Sequence, residues 1–145
     1  MEHLCKICNI NLIYEDDDFL CKRCSSFVGT VKNKKLFLSI VNYLDNIKTE
    51  DLFYSYDGEL KKYKKDREKQ ERYKCPVCKN RYSKSKHSSF YATIDHDHNN
   101  GKIRDVVCHR CNTAIGQFEA IMRNSNLSEK QIVENILKYK KWDSV

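Results

Sequence analysis

The sequence has few residues that break regular structure and no long apolar run. It contains one proline and four glycines in 145 residues, and no low-complexity linker divides it. No stretch is long and apolar enough to span a membrane, and no N-terminal apolar run has the form of a signal peptide. We therefore expect a cytoplasmic protein without membrane contact, built as one domain or two small lobes.

No cysteine is left outside a pair. All eight cysteines occur as Cys-x-x-Cys, and charged residues make up 32% of the chain, which leaves little for a large core. Small scaffolds of this kind usually need covalent or metal staples. Without a secretion signal the pairs favour zinc over disulfides, because a two-residue spacer lets one turn present two thiolates to a tetrahedral ion.

The pairs combine into two predicted zinc sites, each closed by four thiolates. The first is an N-terminal zinc ribbon or knuckle, in which twelve residues separate the pairs; in the second, twenty-nine residues separate the pairs. Four thiolates leave no open position for substrate, so both zinc ions are expected to be structural. The predicted ligands are Cys5, Cys8, Cys21 and Cys24 at the first site, and Cys75, Cys78, Cys108 and Cys111 at the second.

Positive charge exceeds negative charge, with a formal net charge of +7. This suggests a polyanionic partner, although a solvated basic surface explains the charge equally well. The segment 61–74 is mostly charged and has strong helix formers, which predicts an exposed helix. It could follow a phosphate backbone or be solvated and held by i,i+4 pairs, and both interpretations stay open.

Hydrophobic periodicity predicts a small α+β protein that is mainly helical. Apolar residues at helical spacing indicate a helix over 34–48, and a second helix is expected from Thr49. Alternation indicates strands over 90–94 and 103–107, with a loop between them. A further helix is predicted from near Asn112 to about Arg123.

The C-terminal segment carries a recognisable helix start. Ser128 and Gln131 match a capping box, and the helix that follows is expected to reach about Trp142. The predicted division of the chain is a zinc ribbon, a helical connector, a ββα-metal nuclease domain stapled by zinc, and a C-terminal helix. Their predicted bounds are 1–27, 28–74, 75–124 and 125–145.

The loop between the predicted strands contains two adjacent acid–imidazole pairs, Asp95-His96 and Asp97-His98, and Asn112 directly follows a zinc cysteine. Neutral imidazole is an effective general base near pH 7. Carboxylate and amide oxygens are hard ligands that suit Mg²⁺ or Mn²⁺. Alone, an Asp-His dipeptide is usually a surface turn and an Asn at a helix start is usually a cap. Their joint placement around a zinc knuckle favours a nuclease site.

These motifs resemble those of the ββα-metal (His-Me finger, or HNH-type) nucleases, and most closely the recombination endonuclease VII family. The similarity follows one order along residues 75–118: Cys-x-x-Cys, Asp-His-Asp-His, Gly101-Lys102-Ile103-Arg104, Cys-x-x-Cys-Asn, and Ala114-Ile115-Gly116. Two positions depart from the family pattern. Ile115 stands where some members have an acid, and Asp105 stands where a glycine often follows the arginine.

The resemblance implies a role for each matching residue. His96 is the implied general base, Asp95 and Asn112 hold the catalytic Mg²⁺ or Mn²⁺, and His98 assists. Arg104 and Lys102 are the implied phosphate contacts. The implied reaction is hydrolysis of DNA to a 5′-phosphate and a 3′-hydroxyl by a homodimer.

The substrate stays open at the level of sequence. Resolution of branched DNA or Holliday junctions follows from the closest family, and site-specific cleavage by a restriction or homing enzyme is nearly as plausible. A non-catalytic zinc adaptor that binds nucleic acid is a separate possibility, since it needs the cysteines and the basic surface. A hydrolase with catalytic zinc is disfavoured because both cysteine quartets close their metal.

Overall fold

The computed structural model describes residues 4–10, 12, 19–47, 74–97, 101–139 and 142. Within these ranges it contains four helices and one two-stranded sheet, which confirms the predicted small α+β fold. The elements are α1 (Lys22–Val31), α2 (Lys34–Asp45), β1 (Ala92–His96), β2 (Ile103–Cys108), α3 (His109–Asn124) and α4 (Glu129–Leu137). The helix predicted from Thr49 and almost all of the segment 61–74 lie outside the described residues.

The chain forms two compact units. Residues 1–35 and 113–145 make up the first unit, and residues 36–112 make up the second. The predicted division into four segments stays a prediction. No helix in the described ranges is both long and apolar enough to cross a membrane.

The first unit has an aromatic and aliphatic core. The rings of Phe27 and Phe118 lie 5.5 Å apart, and both side chains are fully buried. The side-chain amide of Asn135 donates to the Ile7 carbonyl at 3.0 Å, which joins α4 to the first cysteine pair. The core also contains Val28, Val31, Ile121, Ile132 and Ile136.

Helix α1 is an element that the sequence patterns above do not predict. It begins directly after Cys21, whose sulfur accepts a hydrogen bond from the Cys24 amide, and it ends at Val31, which is followed by Lys32 in a left-handed conformation. Cysteine is not one of the side chains that usually signal a helix N-cap. The signal that was available is the apolar set Phe27, Val28 and Val31, which has helical spacing and is buried.

Helix α4 confirms the predicted capping box. The Ser128 hydroxyl accepts from the Gln131 amide at 3.2 Å, and the Gln131 side chain accepts from the Ser128 amide at 2.9 Å. The helix ends at Leu137 rather than at about Trp142. Trp142 is nevertheless buried, and its indole N–H donates to the Val28 carbonyl at 3.3 Å.

The second unit contains α2 and the hairpin of β1 and β2. Helix α2 ends at Asp45, three residues before the predicted end, and buries Leu36, Phe37 and Ile40. The two strands are antiparallel, and β1 begins at Ala92 rather than at residue 90. Strand β1 also ends later than predicted. Its last two residues, Asp95 and His96, belong to the segment that was predicted to be a loop.

The turn of the hairpin is closed by backbone hydrogen bonds. The Asp97 amide donates to the Lys102 carbonyl, and the Gly101 amide donates to the Asp97 carbonyl, both at 2.8 Å. Gly101 has a φ of +72°, a conformation that glycine adopts without steric cost. The turn thereby fixes the end of β1 against the start of β2.

Candidate metal centres and nuclease site

Both cysteine quartets are assembled as predicted. In each quartet the four sulfur atoms lie within 4.8 Å of one another. Cys8 and Cys21 have their sulfurs 3.6 Å apart, and those of Cys78 and Cys108 are 3.7 Å apart. A tetrahedral ion with Zn–S bonds of about 2.3 Å would separate its sulfurs by about 3.8 Å. The donor type, number and spacing therefore fit structural zinc at both sites.

The first Cys-x-x-Cys of each quartet has the same turn geometry. The Cys5 amide donates to the Ile10 carbonyl at 2.8 Å, and the Cys75 amide donates to the Asn80 carbonyl at 2.9 Å. Asn9 and Lys79, the residues after each pair, both have a φ of +63°. The two knuckles are thus repeats of one local structure.

The second Cys-x-x-Cys of each quartet begins a helix. The Cys21 amide donates to the Cys5 sulfur at 3.2 Å, and the Cys108 amide donates to the Cys75 sulfur at 3.4 Å. Helices α1 and α3 start at the next residue in each case. Hydrogen bonding with Cys24 lowers the pKa of Cys21 to about 6, and hydrogen bonding with Cys108 lowers the pKa of Cys75 to about 7, whereas hydrogen bonding with neighbouring sulfurs raises the pKa of Cys24 and of Cys111. A thiolate is the form that binds zinc.

The two quartets differ in the segment that joins their pairs. Twelve residues without histidine join Cys8 to Cys21, whereas twenty-nine residues join Cys78 to Cys108 and include the hairpin with Asp95 and His96. The acid–imidazole pair Asp95-His96 therefore lies between the two cysteine pairs of the second quartet.

Asp95 is fully buried and ion-paired. Its Oδ2 lies 2.8 Å from Nε of Arg104, and its Oδ1 accepts from Nη2 of Arg104 at 3.0 Å. The Tyr43 hydroxyl donates to Oδ2 at 2.9 Å. The Asp95 side chain is 1% exposed and that of Arg104 is 5% exposed, so the pair is shielded from water. The contact from Nη2 is a hydrogen bond, and the contact from Nε is a close ion-pair contact.

A β-bulge explains how Arg104 reaches Asp95. Asp95 pairs with Asp105 and His96 pairs with Ile103, so Arg104 is the extra residue of β2. A bulge re-aims a side chain that regular pairing would direct elsewhere.

His96 is exposed although it directly follows buried Asp95. Its imidazole is therefore open to solvent and to a substrate. His98 lies outside the described residues. Lys102 is half-buried, and its backbone carbonyl accepts the turn hydrogen bond from Asp97. The Arg104 side chain is ion-paired with Asp95. Phosphate contacts by Lys102 and Arg104 stay predictions.

Asn112 is half-buried and is the fourth residue of α3. The helix begins at His109, three residues earlier than predicted, so Asn112 is inside the first turn and is not the residue that caps it. The oxygen donors of Asp95 and Asn112 suit a hard divalent ion. A carboxylate has about four lone-pair sites, so hydrogen bonding and cation binding at Asp95 are compatible.

Tyr43 is the site residue that the sequence did not reveal. It lies 52 residues before Asp95 on α2, within the segment that the sequence predicts only as a helical connector. No local motif marks a tyrosine as a partner of a distant acid. The one available signal was the amphipathic pattern of α2, which predicts packing but no partner.

The sequence model of the recombination endonuclease VII family matches residues 50–141, more than half of the chain. The chain belongs to this family. No curated protein and no solved structure shows significant similarity to it. Membership implies a DNA endonuclease, and the matched residues include the hairpin, its cysteine quartet and Asn112.

Proposed function

We propose that this protein is a divalent-metal-dependent DNA endonuclease that uses His96 as its general base. The observation that carries the proposal is the hairpin end, where a buried carboxylate, Asp95, directly precedes an exposed imidazole, His96. The hairpin runs directly into the cysteine quartet through Cys108, the last residue of β2. Zinc binding would therefore hold the hairpin and the start of α3 in one geometry.

In this proposal each residue performs one part of phosphodiester hydrolysis. His96 removes a proton from the attacking water, as a neutral imidazole does near pH 7. Asp95 and Asn112 hold one Mg²⁺ or Mn²⁺ through oxygen atoms. The ion, when bound, would neutralise charge on the phosphate and on the leaving 3′ oxygen. Attack at phosphorus with loss of that oxygen leaves a 5′-phosphate and a 3′-hydroxyl, and His98 is proposed to assist.

The proposed substrate is branched DNA, such as a Holliday junction, on the strength of the family. A basic loop in the second unit supports contact with a polyanion. This loop, residues 79–89, contains no acidic residue, and its basic side chains are exposed; they are Lys79, Arg81, Lys84, Lys86 and His87. The Tyr82 hydroxyl donates to the Val106 carbonyl at 2.7 Å and so fastens the loop to β2.

We also propose that the enzyme acts as a homodimer in a reducing, intracellular compartment. Cutting two strands of one junction requires two active sites, and two copies of this chain supply them. The eight cysteines have no disulfide partner, which suits zinc binding under reducing conditions. Scattering of the protein bound to a junction would test the dimer, and a monomer mass on DNA would rule it out.

The test of the proposed function is cleavage of a four-way junction and of a long linear duplex in Mg²⁺, side by side. The test variant is His96→Ala, and the matched control is His109→Ala, which removes another exposed histidine of the same unit. We expect symmetric nicks at the junction by the unmodified protein and by His109→Ala. His96→Ala should bind the same DNA and retain its zinc without cleaving.

Three results would change the proposal. Discrete fragments from the duplex would indicate a restriction or homing enzyme. Cleavage that survives His96→Ala would show that another group is the base. Absence of cleavage by the zinc-loaded protein, with DNA binding intact, would indicate the non-catalytic adaptor.

A further inference from the structure

Helix α2 lies outside the residues that match the family, yet it contributes to the proposed active site. The family match begins at residue 50, whereas α2 ends at Asp45. Tyr43, in its last turn, donates its hydroxyl proton to Oδ2 of Asp95 at 2.9 Å. Helix α2 and the hairpin belong to the same compact unit, so this contact lies within one folded body.

The carboxylate of Asp95 is held from two separate segments of the chain. Arg104 contacts both oxygens from within the hairpin, at 2.8 and 3.0 Å. Tyr43 contacts Oδ2 from α2. Asp95 therefore accepts one hydrogen bond on each oxygen, from Arg104 Nη2 on Oδ1 and from Tyr43 on Oδ2, and two such bonds from separate segments restrict rotation of the carboxylate.

Tyr43 is an uncharged hydroxyl donor. Unlike Arg104, it orients the carboxylate without adding a positive charge that repels a cation. Groups that hydrogen-bond to metal ligands in this way commonly set metal affinity.

We propose that Tyr43 is a positioning residue for the metal-binding carboxylate of Asp95, and that α2 therefore forms part of the active site. This inference rests on the proposed function, in which Asp95 binds the divalent ion. It goes beyond that function by assigning a role to a segment before the family domain.

The experiment is a titration of the zinc-loaded protein with Mn²⁺ in the absence of DNA, with free Mn²⁺ measured by electron paramagnetic resonance. The test variant is Tyr43→Phe. The matched control is Tyr82→Phe, which also removes a hydroxyl from the second unit, but one that donates to the backbone carbonyl of Val106. Asp95→Asn identifies the site, and cleavage as a function of Mn²⁺ concentration is measured in parallel.

We expect Tyr43→Phe to weaken Mn²⁺ binding about 10-fold or more, the usual effect of losing such a partner. The Mn²⁺ concentration for half-maximal cleavage should rise by the same factor, while zinc content and DNA affinity without added Mg²⁺ or Mn²⁺ stay unchanged. Tyr82→Phe should bind Mn²⁺ like the unmodified protein. If Tyr43 had only a structural role, Tyr43→Phe and Tyr82→Phe could both lower the free energy of unfolding, but both would bind Mn²⁺ like the unmodified protein.

Equal Mn²⁺ affinity in Tyr43→Phe and the unmodified protein would overturn the inference and leave the proposed function standing. Equal Mn²⁺ affinity in Asp95→Asn and the unmodified protein would overturn the proposed metal site itself. Tyr43→His, which keeps a ring N–H donor, covers the case in which Tyr43→Phe fails to fold. The Mn²⁺ affinity of Tyr43→His should be closer to that of the unmodified protein than to that of Asp95→Asn. If Tyr43→His loses as much Mn²⁺ affinity as Asp95→Asn does, the proposed role of the donor is contradicted.

Discussion

Arg104 and Asp95 form a buried ion pair at the centre of the proposed site. Burying two charges is costly, and their attraction offsets this cost only when the geometry is close, as it is at 2.8 and 3.0 Å. The pair therefore specifies one arrangement of the hairpin end. Removing one partner would leave the other charge buried and uncompensated.

We predict that Arg104→Gln lowers the free energy of unfolding by about 3–5 kcal/mol, the usual cost of breaking a buried pair from one side. Urea denaturation followed by circular dichroism measures this loss. Arg81→Gln is the control, because Arg81 is an exposed arginine of the same unit. The double variant Arg104→Gln with Asp95→Asn should lose less than the two single variants together. A loss in Arg104→Gln no larger than in the control would contradict the structural role of the pair.

Asp95, His96 and Asn112 could be proposed as site residues from the sequence, because the proposal depends only on residue type and spacing. The partners of Asp95 could not. Tyr43 is 52 residues away in the sequence. Arg104 contacts Asp95 because of a β-bulge, and the pattern of side chains does not predict that bulge. Long-range hydrogen bonds and changes of strand register depend on tertiary packing rather than on local sequence.

The knuckle followed by a helix is the repeated element of this chain. In both copies a cysteine sulfur accepts a hydrogen bond from a backbone amide in the first turn of the helix. The Cys24 amide donates to the Cys21 sulfur, and the Cys111 amide donates to the Cys108 sulfur, each at 3.5 Å. The sulfur atoms that could hold zinc thus also accept hydrogen bonds at the start of a helix. The cysteine pattern predicted both quartets but missed α1, because a cysteine sulfur takes the place of the usual capping side chain.

We predict that the protein binds two zinc ions per chain, since each cluster fits one. Cys8→Ser and Cys78→Ser should each bind one. Cys78→Ser should also lose cleavage, because the second quartet contains Cys108 at the end of the hairpin that contains the proposed catalytic residues. Elemental analysis gives the zinc content, and the junction assay gives the activity. Full activity in a Cys78→Ser protein that lacks this zinc would show that the ion is not needed to hold the site.

The Ser128 capping box is the second element-scale feature with a measurable effect. Its hydroxyl satisfies a backbone donor at the start of α4, and loss of such a cap usually costs about 1 kcal/mol. Ser128→Ala should therefore lower the free energy of unfolding by about that amount, and Ser26→Ala, at an exposed position within α1, is the control. Urea denaturation compares them. Equal stability of Ser128→Ala and the unmodified protein would show that water replaces the cap without cost.

At the scale of the whole molecule, the excess of positive charge bears on how DNA is bound. A net charge of +7 attracts any polyanion, and it does not by itself indicate which surface touches the DNA. The basic loop, residues 79–89, has exposed basic side chains and no acidic residue, and it belongs to the same compact unit as Asp95 and His96. Lysines that neutralise phosphates release counterions, so the number of such lysines can be measured from the salt dependence of affinity.

We predict that replacing Lys84 and Lys86 together by alanine reduces the slope of log affinity against log salt concentration by about 2, or one for each phosphate that is no longer neutralised. The matched control replaces Lys130 and Lys138, two exposed lysines of the first unit, and removes the same total charge. Fluorescence anisotropy with a labelled junction, without added Mg²⁺ or Mn²⁺ and at several salt concentrations, measures both. If long-range attraction by net charge governs binding, both double variants will change alike. If the basic loop lies on the DNA, the slope changes only when its own lysines are removed, because counterion release depends on which phosphates are neutralised and not on how much charge the protein has.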